Sequence, residues 1–137
     1  MSANAWQENI DAPNIDGIVI LPSGGSIATN GVSANQSNPR GRALKLYIAT
    51  GAFGVGVSNI TVTVGYCDLN SGSYFKALTS APLAPNALQV LSIGPGLNNQ
   101  ANVSLCDILP KTWLVTWQAT AWGQGGSVLG IGAAINV

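Results

Sequence analysis

Glycine and proline interrupt this chain so often that a long helix has no room to form. There are seventeen glycines and seven prolines in 137 residues, and both residue types disfavour helix interiors and favour turns. The apolar segments between them alternate with period two, which is the spacing of a strand with one buried face. In residues 60–67, for example, Ile60, Val62 and Val64 alternate with threonine and glycine. The sequence therefore predicts an all-β fold.

Eight segments carry strand-like patterns, at a spacing typical of a β-sandwich or a jelly roll. They are residues 17–21, 44–49, 60–67, 73–78, 87–93, 101–106, 113–118 and 129–137. Asp68, Ser71 and Gly72 have the chemistry of a tight hairpin turn between two of these segments. The alternation also predicts six buried residues, Leu46, Ile48, Val62, Val64, Val115 and Ile131.

The chain divides into an N-terminal arm, residues 1–14, and a β-sandwich domain, residues 15–137. The arm is polar except for a few residues such as Trp6. A tryptophan in a polar terminus is costly to leave in water because of its large apolar area. We expect Trp6 either to fold back on its own domain or to insert into a neighbouring molecule.

Charge is scarce, since 7% of residues are charged and the net charge is zero, whereas about a quarter of an ordinary domain is charged. Nucleic acid is an unexpected partner because binding phosphates needs clustered bases. Arg40, Arg42 and Lys45 come closest to such a cluster, and we expect them to form a solvated strand edge. Arg40 and Arg42 are also candidate interface residues. No segment resembles a secretory signal or a membrane span. We therefore expect a chain made in a cytoplasm, with a surface largely covered by neighbouring molecules.

The candidate chemistry is thin, and we expect no enzyme, no cofactor and no metal site. The chain has no histidine, the usual base for a serine or cysteine nucleophile and a common zinc ligand. Asp68 and Asp107 are a conceivable glycosidase pair, but each is better placed to cap its own turn. Cys67 and Cys106 are expected to be free thiols.

The tryptophans allow a carbohydrate-binding alternative. Trp113 and Trp117 share a strand face with Val115, which is the pattern of a core. Trp122 has the opposite parity and precedes a glycine-rich loop, so it is the better candidate for a surface or interface residue. A sugar platform would need such rings to be open to solvent.

The order of turns and strands resembles that of small virion proteins of tailed bacteriophages. The shared features are an Asn-x-x-Gly start, an Asp-x-x-Ser-Gly-x-Tyr hairpin, a Pro-Gly turn, a Leu-Pro-x-x-Trp strand and a closing Ser-Val strand. In this chain they are Asn38-Pro-Arg-Gly41, Asp68-Leu-Asn-Ser-Gly-Ser-Tyr74, Pro95-Gly96, Leu109-Pro-Lys-Thr-Trp113 and Ser127-Val128. The chain departs from the pattern at Gly126, where a tyrosine is usual, and at Leu114, where an arginine is expected.

This resemblance implies a head decoration, or cement, protein. Such a protein is a non-enzymatic β-domain that binds the outside of the capsid, commonly as a homotrimer on the major capsid protein. The alternatives are a tail or fibre component of the virion and a carbohydrate-binding β-sandwich module. The resemblance adds no cofactor, no nucleic acid and no membrane to the expected partners.

Overall fold

The computed structural model describes residues 15–38 and 43–136, and every regular element in these ranges is a β-strand. Eleven strands form two sheets, as expected of a β-sandwich. They are β1 (Ile15–Leu21), β2 (Ser26–Ile27), β3 (Gly31–Val32), β4 (Gln36–Ser37), β5 (Ala43–Thr50), β6 (Thr61–Cys67), β7 (Tyr74–Thr79), β8 (Leu88–Gly94), β9 (Ser104–Cys106), β10 (Thr112–Gln118) and β11 (Ser127–Asn136). β2, β3 and β4 have two residues each, and the longer strands follow the eight predicted segments.

The six-stranded sheet has the order β1-β11-β5-β8-β9, with β2 also paired to β11. The five-stranded sheet has the order β3-β10-β6-β7, with β4 also paired to β10. The pairs within both sheets are antiparallel except that β8 and β9 run parallel. Antiparallel sheets tolerate one solvated face. The side chains on the outer face of each sheet therefore indicate whether that face is exposed to water or to an apolar contact.

Residues 15–37 add strands first to the six-stranded sheet and then to the five-stranded sheet. β1 and β2 pair with β11 of the six-stranded sheet, and the chain then crosses over so that β3 and β4 pair with β10. Asn30 lies at the crossover, where its Oδ1 accepts hydrogen bonds from the Ala119 amide at 3.1 Å and from Trp122 Nε1 at 2.6 Å. These bonds tie the crossover to the loop that leads into β11.

The inner faces of the two sheets form one apolar core, as the alternation predicts. The six predicted core residues are all buried, each with 2% or less of its surface exposed. Trp113 is the largest enclosed side chain, and Trp117 is buried beside it on the same strand face. Gly31 of β3 makes room for Trp117, because a Cβ on Gly31 would collide with the indole ring.

The hairpin between β6 and β7 is held by the Asp68 carboxylate. Asp68 Oδ1 accepts a hydrogen bond from the Asn70 amide at 3.0 Å, and Ser71 Oγ donates to Asp68 Oδ2 at 2.7 Å. Gly72 adopts a positive φ of 75°, a conformation that glycine takes without steric cost. Its amide donates to the Asp68 carbonyl at 2.8 Å. The turn residues singled out in the sequence therefore make this hairpin.

Several expectations concern residues outside the described ranges. These are the arm of residues 1–14, its Trp6, and the pair Arg40 and Arg42. No helix long and apolar enough to cross a bilayer occurs among the described residues.

Candidate interaction surface

The outer face of the six-stranded sheet is apolar where a solvated sheet would be polar. A single cross-strand row runs through Val19 of β1, Gly132 of β11, Tyr47 of β5 and Val90 of β8. Val19 is 66% exposed, Tyr47 46% and Val90 42%. Large apolar side chains in one continuous row on a surface are typical of a contact site rather than of scattered surface residues.

A second row, adjacent to the first, extends the apolar surface. It contains Gly130 of β11, Ala49 of β5 and Leu88 of β8. Leu88 is 84% exposed, the highest value among the large apolar side chains of the described residues.

The two rows enclose a depression of about 500 Å³, which we call the apolar groove. Side chains of β1 form one wall, those of β5 and β8 form the other, and two glycines of β11 form the floor. Among the residues that line it are Val19, Tyr47, Leu88, Val90, Gly130 and Gly132.

The groove exists because β11 carries glycine at its outward positions. A Cβ on Gly132 would approach nothing closer than the Ile18 carbonyl oxygen, at 3.4 Å, so the space above that residue is open. A Cβ on Gly130 would lie 3.1 Å from Ser23 Cα, because the turn after β1 passes over that end of the floor. The groove is therefore closed by the Ser23 turn at one end and open above Gly132.

A cation lies beside the open end of the groove. Lys45 is exposed on β5, two residues before Tyr47 and therefore on the same face. It pairs with Ala134, the small residue that continues the line of Gly130 and Gly132 along β11. The surface is thus apolar over two rows and positively charged in the third.

The outer face of the five-stranded sheet provides the contrast. Its cross-strand pairs include Thr63 with Thr116 and Thr61 with Gln118. Thr63 Oγ1 also lies 3.0 Å from Thr79 Oγ1, within hydrogen-bond distance. The same face also carries Val32, opposite Thr116, and Tyr74 and Leu114 beside Gly65. It therefore mixes polar and apolar side chains, as a half-solvated antiparallel sheet commonly does.

The tryptophans contribute little to the surface. Trp113 and Trp117 are buried in the core. Trp122, expected to be the most open of the three, is half-buried and packs against the core, and its indole nitrogen is bonded to Asn30. The opposite strand parity of Trp122 does not leave it on an open face, because it lies in the loop before β11 and folds onto the crossover.

The two candidate catalytic carboxylates each serve a local turn. Asp68 holds the β6–β7 hairpin, and the hydrogen bond from Ser71 followed by that from the Asn70 amide lowers the pKa of its carboxyl. Asp107 Oδ1 accepts from the Ile108 amide at 2.8 Å. Burial, and then the negative charge of Asp107, raises the pKa of Tyr66 above its ordinary range. Nothing in this arrangement presents two free carboxylates to a substrate.

Two glycine-rich loops meet at the end of the sandwich. The Val55 amide donates to the Gln124 carbonyl at 3.0 Å, and the Gln124 amide donates back to the Val55 carbonyl at 3.1 Å. A Cβ on Gly123 would collide with the Val55 carbonyl oxygen, so this contact between backbones requires glycine. Glycine at this position therefore serves the packing of the two loops.

No cluster of three or more His, Cys, Asp or Glu side chains that could hold a metal occurs in residues 15–38 and 43–136. Cys67, on β6, and Cys106, on β9, are free thiols, one in each sheet.

The sequence analysis does not predict the apolar groove. Its signal was nevertheless present, because Tyr47 and Ala49 occupy the outward positions of a strand whose inward positions are Leu46 and Ile48.

Comparison of the chain with protein-family models, with curated proteins and with solved structures finds no significant match.

Proposed function

We propose that this chain is a structural virion protein of a tailed bacteriophage, most specifically a head decoration protein. It binds the outer surface of the shell formed by the major capsid protein, acts as a homotrimer and has no enzymatic activity. The observation that carries the proposal is the apolar groove on the outer face of the six-stranded sheet. A sandwich with a completed core does not need such a face for its own folding.

The composition supports an assembly role. With zero net charge, copies of the chain have little long-range repulsion to keep them apart. An apolar contact that forms only on an assembled shell stabilises that shell by mass action. A protein of this kind needs a rigid domain and an apolar contact surface, and the described residues provide both.

The local roles of the carboxylates support a binding protein over a hydrolase. Asp68 and Asp107 are committed to their own turns, so neither is placed as a free acid or base. The carbohydrate-binding alternative has less support, because Trp113 and Trp117 are buried and Trp122 is bonded within the chain. A tail or fibre position would use the same surface chemistry as a head position.

The test is binding to undecorated shells assembled from the major capsid protein of the same phage. We expect the chain to sediment with the shells to a saturating ratio, to raise their melting temperature, and to sediment alone as a trimer of the 13.9 kDa subunit. Saturable binding to tails but not to heads would move the protein to the tail. Binding to neither, together with retention on a polysaccharide column, would favour the carbohydrate module and contradict the proposal.

A further inference from the structure

We propose that two copies of the free protein pack face to face through the apolar groove, about a two-fold axis that runs parallel to the strands. Tyr47 of each copy fills the space above Gly132 of the other, and Lys45 of each copy pairs with Asp16 of the other. The inference goes beyond the proposed function, because it concerns the free chain and holds whether or not the protein binds capsids.

The order of the strands makes the groove face complementary to itself. Across the groove the four strands follow in the order β1, β11, β5 and β8. When a second copy is laid on this face, a two-fold axis between β11 and β5 sets each of these two strands against the other and sets β1 against β8. Each cross-strand row therefore meets the same row of the second copy in reverse order, which is an isologous contact.

The central row carries a protruding ring and an open floor, which this axis brings together. In strand order its members are Val19, Gly132, Tyr47 and Val90. Reversed onto itself, the row sets Tyr47 against Gly132 and Val19 against Val90. Tyr47 is exposed, and a Cβ on Gly132 would approach nothing closer than 3.4 Å. A two-fold axis across the strands would instead set Tyr47 against Tyr47 and leave the glycine floor empty.

The adjacent row fits the same axis. It contains Gly130, Ala49 and Leu88, so its reversal sets Ala49 against Gly130 and Leu88 against β1, where Leu21 lines the groove. Aligned sheets pack about 10 Å apart with interdigitated side chains. The contact thus covers Leu88, the most exposed of the large apolar side chains in the described part of the chain.

The third row carries an acid as well as Lys45. The register of β1 against β11 shifts between Ile15 and Ile18, so that Asp16 and Gly17 together oppose Ala134. Asp16 is exposed. Lys45 pairs with Ala134 from the other side. Within one copy the acid and the cation are therefore two strand spacings apart, about 10 Å.

The two-fold axis halves that separation between copies. It brings Lys45 of one copy to the level of Ala134 of the other, one strand spacing of about 4.8 Å from Asp16. An ammonium on a flexible four-carbon stem reaches a carboxylate at that offset. Each pair of copies gains two such ion pairs, one on each side of the axis. Charges at the rim of an interface mainly fix its register and suppress wrong pairings, so these pairs select the arrangement in which Tyr47 meets Gly132.

The size of the face sets the strength of the contact. Four strands span about 19 Å, and seven residues along each span about 23 Å. A contact of these dimensions lies below the roughly 800 Å² per partner of a standard interface. We therefore expect a reversible contact that forms in the micromolar range of concentration and that leaves the face available to a larger partner.

Sedimentation of the full-length free protein, from micromolar to millimolar concentration, tests the proposal without any shell. We expect the mass of the smallest species to double across the series. The doubling is measured relative to that species, so it is scored in the same way whether the species is a monomer or the proposed trimer.

The variants are Tyr47→Ala, Lys45→Glu and Asp16→Lys, with Lys76→Glu as the matched control. All four side chains are exposed, so the variants should melt like the wild type. Lys76 lies on β7 of the five-stranded sheet, and its replacement changes the net charge by the same amount as Lys45→Glu. Each of the three groove-face variants should raise the concentration of half-association about tenfold or more. Lys76→Glu should leave it close to the wild-type value.

The charge pair is tested by exchange within one chain. Lys45→Glu alone sets two acids against each other between copies, and Asp16→Lys alone sets two bases. The double variant has the net charge of the wild type and restores both ion pairs with reversed sign, so it should associate like the wild type.

Three results would overturn the proposal. The first is a wild type whose mass does not double up to millimolar concentration. The second is a doubling that Tyr47→Ala and Lys45→Glu leave unchanged, which would place the contact on another surface. The third is a double variant that associates as weakly as the single ones. Because every readout uses the free chain, a failure to bind capsids leaves them unaffected.

Discussion

The outer face of the five-stranded sheet mixes threonine and glutamine with Val32, Leu114 and Tyr74, whereas the outer face of the six-stranded sheet presents valine, leucine, tyrosine and glycine around one groove. The inner faces do not differ in this way, since both contribute fully buried apolar side chains to one core. Folding alone accounts for the inner faces, because burial of apolar area stabilises both of them. It does not account for an apolar outer face, and under the proposed function this is the face that contacts the shell.

The largest expected effects test the equivalence of the inner faces. Trp113 and Ile131 come from the five- and six-stranded sheets and are fully enclosed. We expect Trp113→Ala to lower the free energy of unfolding by about 3–5 kcal/mol and Ile131→Ala by about 2–5 kcal/mol, because each leaves a cavity. Urea unfolding at pH 7 measures both, and a loss below 1 kcal/mol for either would mean that its sheet is not part of the common core.

Substitution of two strand glycines by alanine should distinguish an inner face from an outer face, with smaller changes in the free energy of unfolding than the core substitutions. Gly31 faces Trp117, and a methyl group there would collide with the indole ring, whereas a methyl group on Gly132 would come no closer than 3.4 Å, to the Ile18 carbonyl oxygen. Gly31→Ala should therefore destabilise the protein by about 1–3 kcal/mol through overpacking. Gly132→Ala should change stability by no more than about 0.5 kcal/mol. Equal losses in urea unfolding would refute the open floor of the groove.

The hairpin of the five-stranded sheet should give a pH-dependent effect. The hydrogen bond from Ser71 holds the Asp68 pKa below its ordinary value, and an unfolded aspartate titrates near 3.9. A lowered folded pKa means that the contribution of Asp68 is present above the unfolded pKa and is lost as pH falls through the folded pKa. Between pH 7 and pH 2.5 the wild type should lose more melting temperature than Asp68→Asn, with Ser71→Ala in between. Identical pH profiles for all three proteins would show that the carboxylate does not hold the turn.

We expect no disulfide between the two sheets, and the reactivity of the two cysteines tests this. Cys67 is half-buried in the five-stranded sheet, and Cys106 is exposed in the six-stranded sheet. Titration of the denatured, unreduced protein should find two thiols, and Cys106 should react first in the native protein. A titration that finds none would mean that a disulfide links the sheets.

The positions of the longer strands and the buried face of each were predictable from the sequence, because period-two alternation marks a strand and also shows which of its side chains point inward. Val62, Val64 and Val115 are buried as that alternation requires. β2, β3 and β4 were missed because two residues are too few to show a period. The bond between Trp122 and Asn30 joins residues 92 positions apart, and no local pattern carries that information.

The groove could be predicted only in part. Alternation places Tyr47 on an outer face, but it does not say which residues of other strands stand beside it. That depends on strand order and register, which align Val19, Gly132 and Val90 with Tyr47. Apolar residues at outward positions carry the sequence signal of this surface, but alternation within one strand cannot assign their neighbours.

The most direct test of the account compares one charge placed on each outer face. Leu88→Asp lies in the groove and Val32→Asp lies on the five-stranded sheet, and both side chains are exposed, so neither change should unfold the protein. Binding of each variant to undecorated shells is measured by sedimentation over a concentration series. We predict that Leu88→Asp weakens the Kd about thirtyfold, which corresponds to the loss of about 2 kcal/mol at a contact hot spot, and that Val32→Asp stays close to the wild type. Equal affinities for the two variants, or a larger loss for Val32→Asp, would contradict the assignment of the apolar face as the contact surface.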